Sequence, residues 1–122
     1  MPRGNEREVW AVIERETGSL TGWVALFVDG ETGELGYRFF RTFWRRGFAI
    51  EAARAIISDA FSRPGIVRIT AVTMAVNTRS RRVMEKLGMQ HSRTYSVDWS
   101  DPLPGAEEGE VEYVIERPSW RS

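Results

Sequence analysis

The feature that most constrains this chain is a change of hydrophobic period at Gly47. Before it, "EVWAVIER" (residues 8–15) and "LTGWVALFVD" (20–29) are β-rich runs of Trp, Val and Ile divided by the turn signal "ETGS". A second turn, "DGETG" (29–33), leads into "ELGYRFF" (34–40), so the first third of the chain is expected to be an antiparallel meander. After it, Ala49, Ala53, Ile56, Ile57, Ala60 and Phe61 recur at helical spacing until Pro64-Gly65 stops the helix.

The remainder alternates. "IVRITAVTMAVN" (66–77) is expected to form a buried strand, and "TRSRRVMEKLG" (78–88) a shorter helix with Val83, Met84 and Leu87 inward and Gly88 as its stop. "MQHSRTYSVDW" (89–99) and "EVEYVIER" (110–117) are expected to pair around the loop "SDPLPGAEEG". The order β-β-β-α-β-α-β-β predicts an α+β fold, a mixed, mostly antiparallel sheet with two helices. At 122 residues, with no internal repeat or linker, residues 1–122 are expected to form one domain.

Composition removes several chemistries. With no cysteine there is neither a disulfide nor a thiolate nucleophile, and a single histidine, His91, makes a metal centre or a Ser-His-Asp triad improbable. His91 follows a helix end, where packing or capping is its expected role. No apolar run approaches a membrane span and the first residues are too polar for a signal peptide, so the expected location is cytoplasmic, away from membranes. The formal net charge of 0 argues against wholesale nucleic-acid binding, but the distribution is uneven. Residues 38–93 hold 12 of the 17 Lys and Arg and only three acids, Glu51, Asp59 and Glu85. The middle of the chain is built to meet something negative, and "WRRGFAIEAARAII" (44–57), a cationic turn with a glycine at the mouth of a helix, is where an anion would sit.

Three stretches, "ELGYRFFRTFWRRGFAIEAARAIISDAF", "RITAVTMAVNTRSRRVMEKLGM" and "EVEYVIERPSW", together resemble the GNAT acetyltransferase superfamily and within it the RimJ/RimL-like branch. The resemblance runs over roughly residues 8–120 in the right order and spacing. Two departures stand out: Trp44 occupies the first polar position of the Arg/Gln-x-x-Gly-x-Gly/Ala signature, and the usual first strand and two following helices are absent.

The resemblance implies that the anion is the pyrophosphate of acetyl-CoA, held by backbone N–H groups of Arg46, Gly47, Phe48 and Ala49, with Arg45 flanking. It places Asn77 against the pantetheine arm, with helix capping as the alternative, and Ser80 near the sulfur as thiolate partner, because Met84 stands where many members carry a tyrosine. Arg81 and Arg82 lie where adenosine phosphates rest, and Arg82 is taken as a cofactor contact. Backbone N–H groups around Phe39 and Phe40 are expected to stabilise the oxyanion, and Glu34 is the candidate base, with Glu110 and Tyr113 as weaker ones. No metal is expected.

The implied reaction is direct attack of a primary amine, on a small molecule or a protein N-terminus, upon the thioester, there being no cysteine to carry an acyl group. The competing reading is a non-catalytic CoA-binding module without a complete acceptor site. Trp10, Trp23, Trp44, Trp99 and Trp120 exceed what one small core hides. Trp10 and Trp23 fall in the first strands, where the absent helices would have packed, so a second copy of the chain is expected to cover them in a homodimer.

Overall fold

A computed structural model describes residues 5–95 and 109–120. Its strands are β1 (Asn5–Ile13), β2 (Leu20–Asp29), β3 (Thr32–Phe39), β4 (Arg68–Met74), β5 (Gln90–Tyr95) and β6 (Glu110–Glu116). Helix α1 (Phe48–Ser62) follows β3 and α2 (Thr78–Lys86) follows β4, with single 3-10 turns at Arg41–Phe43 and Arg117–Ser119. The chain order is therefore the expected β-β-β-α-β-α-β-β. Trp99 and most of the loop at 100–109 lie outside the described residues.

The strands form one sheet in the order β1-β2-β3-β4-β6-β5. Every neighbouring pair is antiparallel except β3 with β4, which are joined through α1, the crossover a parallel pair needs. Element ends differ from expectation where turns claim residues. Strand β1 stops at Ile13 because Glu14 enters the turn, its N–H bonded to Ser19 O and its carbonyl to Gly18 N–H. Strand β4 stops at Met74 because its carbonyl accepts from Asn77 N–H ahead of α2.

Both helices pack on one face. Val24, Leu26 and Val28 of β2, Leu35 of β3, Ile69 and Ala71 of β4, and Val111, Tyr113 and Ile115 of β6 meet Ala53, Ile57, Ala60 and Phe61 of α1 and Met84 of α2 in one buried cluster. The end of α1 is clamped from two sides. Arg117 donates to the carbonyls of Phe61 and Arg63, 2.6 Å each, and to that of Ile66, placing a cation where the helix leaves carbonyls unpaired. Arg63 grips both carboxylate oxygens of Glu8 on β1 and also Asp59, which pushes its already basic guanidinium further up.

The opposite face is left open. Val9, Ile13, Trp23 and Phe27 are exposed there, Trp23 at 37% and Val9 at 54%. Trp10 is not with them: it pairs with Val24 while Ala11 pairs with Trp23, so Trp10 and Trp23 point to opposite faces and Trp10 packs against the core. The expectation that both cover one surface is corrected by this parity.

Candidate functional site

Strands β3 and β4 are paired only at Thr32, Gly33 and Glu34 against Arg68, Ile69 and Thr70. Beyond that point both continue, β3 to Phe39 and β4 to Met74, but apart from one another. The gap opens into a cleft of about 1460 Å³, walled by β3 and the loop that follows it, by Val72 and Thr73 of β4, by the first turn of α1 and by α2. Phe40 N–H donates to Thr21 O at 2.9 Å, so by alternation the N–H groups of Tyr37 and Phe39 face away from β2, toward the cleft. The carbonyl of Phe39 on that side accepts from the Trp44 indole at 2.9 Å.

The head of α1 is shaped for an anion. Gly47, its N-cap, has φ 83° and ψ 0°, left-handed, and is followed directly by right-handed helix. A left-handed residue followed by a right-handed one turns consecutive N–H groups into a common concavity, here those of Gly47, Phe48 and Ala49. No side chain caps them. Arg45 also has positive φ, 66°, a conformation costing a non-glycine residue on the order of 1–3 kcal/mol and characteristic of functional loops. Arg38, Arg41, Arg45, Arg79, Arg82 and Lys86 line the cleft, and no Asp or Glu does among the described residues. A strongly positive, apolar-floored groove results.

Phe39, Phe40, Arg45, Gly47, Phe48, Ala49, Asn77, Ser80 and Arg82 all lie on the cleft wall. Several details differ from the sequence reading. Phe40 has its N–H committed to Thr21, which leaves Phe39 as the one of the pair whose N–H faces the cleft. Arg46 turns its side chain out of the cleft, bound to Glu14 at 2.7 Å and held between the rings of Phe43 and Phe48, so only its backbone can serve. Glu34 sits at the last paired position, exposed and opposite Phe27, on the same side of β3 as Arg38 but four residues before it, and it is not among the residues that line the cleft. Glu110 pairs across from Met74 on the open face. Tyr113 is buried, donating to Glu85 at 2.8 Å and accepting from Arg81 at 3.1 Å, a strut for α2 rather than a base. Asn77 caps α2, its side chain accepting Ser80 N–H at 3.1 Å. His91 stacks on Tyr113 and bonds Thr94.

Two cleft residues carried no assigned role in the sequence. The Tyr37 hydroxyl lies 2.8 Å from Ser80 Oγ, tying β3 to α2. Arg79 lies 3.9 Å above the Trp44 ring, tying α2 to the loop before α1. Parity could have found Tyr37, which shares the inward face with Leu35 two residues before it, whereas the Trp44–Arg79 stack joins segments whose meeting no local pattern announces. Among the described residues no group of His, Asp and Glu is placed to hold a metal, and no helix is long and apolar enough to cross a membrane.

Comparison with known proteins agrees with this architecture. A fungal FsC-acetyl coenzyme A-N(2)-transacetylase from Aspergillus fumigatus is 40% identical over 87 residues, 71% of this chain and 37% of its own length. A GNAT-family acetyltransferase structure from Bacillus anthracis superposes with TM-score 0.74 at 29% identity, covering 90% of this chain and 66% of that one. A GCN5-related N-acetyltransferase from Brucella melitensis superposes with TM-score 0.78 at 21% identity over 94% of this chain and 53% of its own, a likeness of fold. The chain thus spans between 37% and 60% of the length of curated relatives it matches. Residues 2–90, which contain the splayed strands, the Gly47 turn and α2, match the acetyltransferase (GNAT) domain, and it is to this family that the chain belongs.

Proposed function

We propose that the cleft binds acetyl-CoA and that the chain transfers the acetyl group to a primary amine. The observation that carries this reading is the uncapped left-handed turn at Gly47 facing a cleft with six cations and no carboxylate among the described residues. A diphosphate is served by the N–H groups of Gly47, Phe48 and Ala49, and the surrounding guanidinium groups, Arg45 and Arg82 among them, complement its charge. Acetyl-CoA supplies an activated thioester there. Phe39 N–H, aimed into the cleft, can stabilise negative charge developing on the carbonyl oxygen, and Ser80 can donate to the sulfur. No carboxylate lines the cleft among the described residues, so in this reading the amine arrives deprotonated or loses its proton to solvent. Thermal unfolding tests the cofactor: acetyl-CoA at a hundredfold its dissociation constant should add about 2.7 kcal/mol. Thiol release over a panel of small amines and N-terminal peptides tests the transfer. Binding without release from any amine would leave the alternative, a CoA-binding module, standing.

The branch within the family is proposed as RimJ/RimL-like, on the Trp44–Gly47 turn and Ser80, and the location as cytoplasmic. We also propose a homodimer across the open face, supported by exposed Val9, Ile13, Trp23 and Phe27 lying together on β1 and β2. Stable interfaces of this kind bury upwards of about 2,000 Å². Sedimentation at micromolar concentration tests it, and a 14.0 kDa species would refute it.

A further inference from the structure

Tyr37 and Ser80 come from opposite walls of the cleft and meet through their hydroxyls, 2.8 Å apart, and the Tyr37 hydroxyl also has the Ser80 carbonyl within reach as a longer acceptor, at 3.3 Å. Two hydroxyl hydrogens are available to this pair, and one of them occupies the short contact. If Ser80 donates, its hydrogen is spent on Tyr37, whose own hydrogen is left with the longer, 3.3 Å bond to the Ser80 carbonyl. If Tyr37 donates, Ser80 keeps a hydrogen for the cleft that it lines. Burial raises the Tyr37 pKa above that of ordinary phenols, more than the Ser80 contact lowers it, so the ring carries its proton throughout the working range. Ser80 is otherwise fixed: its N–H is bonded to Asn77 Oδ1, and it sits in the first turn of α2, the positive end of the helix.

We propose that Tyr37 is a positioning residue that donates to Ser80 Oγ and so directs the Ser80 hydroxyl hydrogen into the cleft, toward the sulfur of bound coenzyme A. This rests on the cofactor reading above and deepens it. No proton changes owner in this arrangement; the pair lowers the energy of a negative sulfur by hydrogen bonding alone. The charged groups that also face the cleft are Arg79, Arg82 and Lys86 from α2, Arg38 from β3, and Arg41 and Arg45 from the loop, while the lining residues of β4, Val72 and Thr73, and Ile50 of α1 add none. Those cations act equally on every variant at position 37 or 80, so differences among variants isolate the hydroxyl pair.

The test is the titration of the thiol of free coenzyme A bound to the full chain, followed by the ultraviolet absorbance of its thiolate. In the wild type the bound thiol should titrate below the free one. Tyr37→Phe, which keeps the ring against Phe39, should raise the midpoint by about one pH unit, as expected for losing one oriented hydrogen bond to a charge. Ser80→Ala should raise it as much or more, and the double variant should go no further than Ser80→Ala. Acetyl-CoA, whose sulfur carries no charge, should bind Tyr37→Phe within about twofold of wild type by calorimetry. A midpoint unchanged in Tyr37→Phe but raised in Ser80→Ala would overturn the proposal and leave Ser80's role intact, as would additive effects. A midpoint that neither variant moves would overturn both roles while coenzyme A binding stands. Wild-type protein that binds neither acetyl-CoA nor coenzyme A would remove the cofactor reading, and this inference with it.

Discussion

Replacing Gly47 separates backbone strain from charge at the head of α1. A Cβ built there meets nothing within 4 Å, so a substitution clashes with no neighbour and its cost in the free protein is the left-handed conformation itself, φ +83°. That penalty is about 1–2 kcal/mol for an ordinary side chain and smaller for Asn and Asp, which visit this region most readily. Gly47→Asn and Gly47→Asp therefore carry nearly the same shape and nearly the same strain, and each should lower the melting temperature of the free protein by only a few degrees, about 4 °C for each kcal/mol in a domain of this size. They differ once an anion is bound. A carboxylate about 5 Å from a phosphate charge, at an effective dielectric near 20, is repelled by about 3 kcal/mol, a factor of about a hundred in affinity. Differential scanning fluorimetry with and without acetyl-CoA should then show a clear ligand-induced rise in Gly47→Asn and almost none in Gly47→Asp. Equal rises in the two variants would refute the assignment of the Gly47 turn as the anion site, whatever their stabilities.

Ser80→Ala should lower acetyl transfer by about ten- to a thousandfold with little change in the KM for acetyl-CoA, and equal turnover in steady-state assays would move the role elsewhere. Arg46→Ala should leave acetyl-CoA affinity within about twofold, because that side chain is held by Glu14, whereas Arg82→Ala should weaken binding several-fold at low salt; calorimetry at two ionic strengths distinguishes them. Gly22→Ala should be severely destabilising although its φ is ordinary, since the new Cβ would lie 2.2 Å from Arg38 O and the β2–β3 ladder would have to part; a wild-type urea midpoint would contradict this. Arg117→Ala should cost about 2–3 kcal/mol in urea unfolding, as three carbonyls at the end of α1 lose a charged donor.

Much of the fold was legible because it is local. Periodicity, turn residues and the Gly88 stop located eight elements in order, and the resemblance of the Gly47 turn and the "NTRS" segment pointed to the cleft walls. What the sequence did not disclose depends on parity and partners. Glu34 looked well placed at the head of its strand, yet it lies at the last position where β3 and β4 are still paired, before the gap opens, and does not line the cleft. Arg46 keeps only the backbone role that the resemblance gave it, because Glu14, 32 residues earlier, takes its side chain. Phe40 lost its N–H to Thr21, a partner defined only when β2 and β3 pair. Tyr37 and Arg79 were in plain view, but their contacts with Ser80 and Trp44 join segments 43 and 35 residues apart, a reach that no periodic pattern reports.

The net charge of 0 conceals the arrangement that matters most. Among the described residues, the arginines with acidic partners are Arg46 with Glu14, Arg63 with Glu8 and Asp59, Arg68 with Glu116, and Arg93 with Glu112. None of these four lines the cleft. The six cations that do line it form no salt bridge among the described residues. Acids are thus spent where they fasten α1 to β1, β4 to β6 and β5 to β6, and are kept from the gap between β3 and β4. A chain neutral in sum can in this way hold a concentrated positive potential at one place, where low-dielectric walls of Phe39, Phe48 and Val83 strengthen it. The same segregation sets a condition on the acceptor. If the proposed transfer takes place here, an amine entering as a cation would meet Arg38 and Arg41, and the proposal therefore predicts that neutral amines, or acceptors bearing their own negative group, are the better substrates.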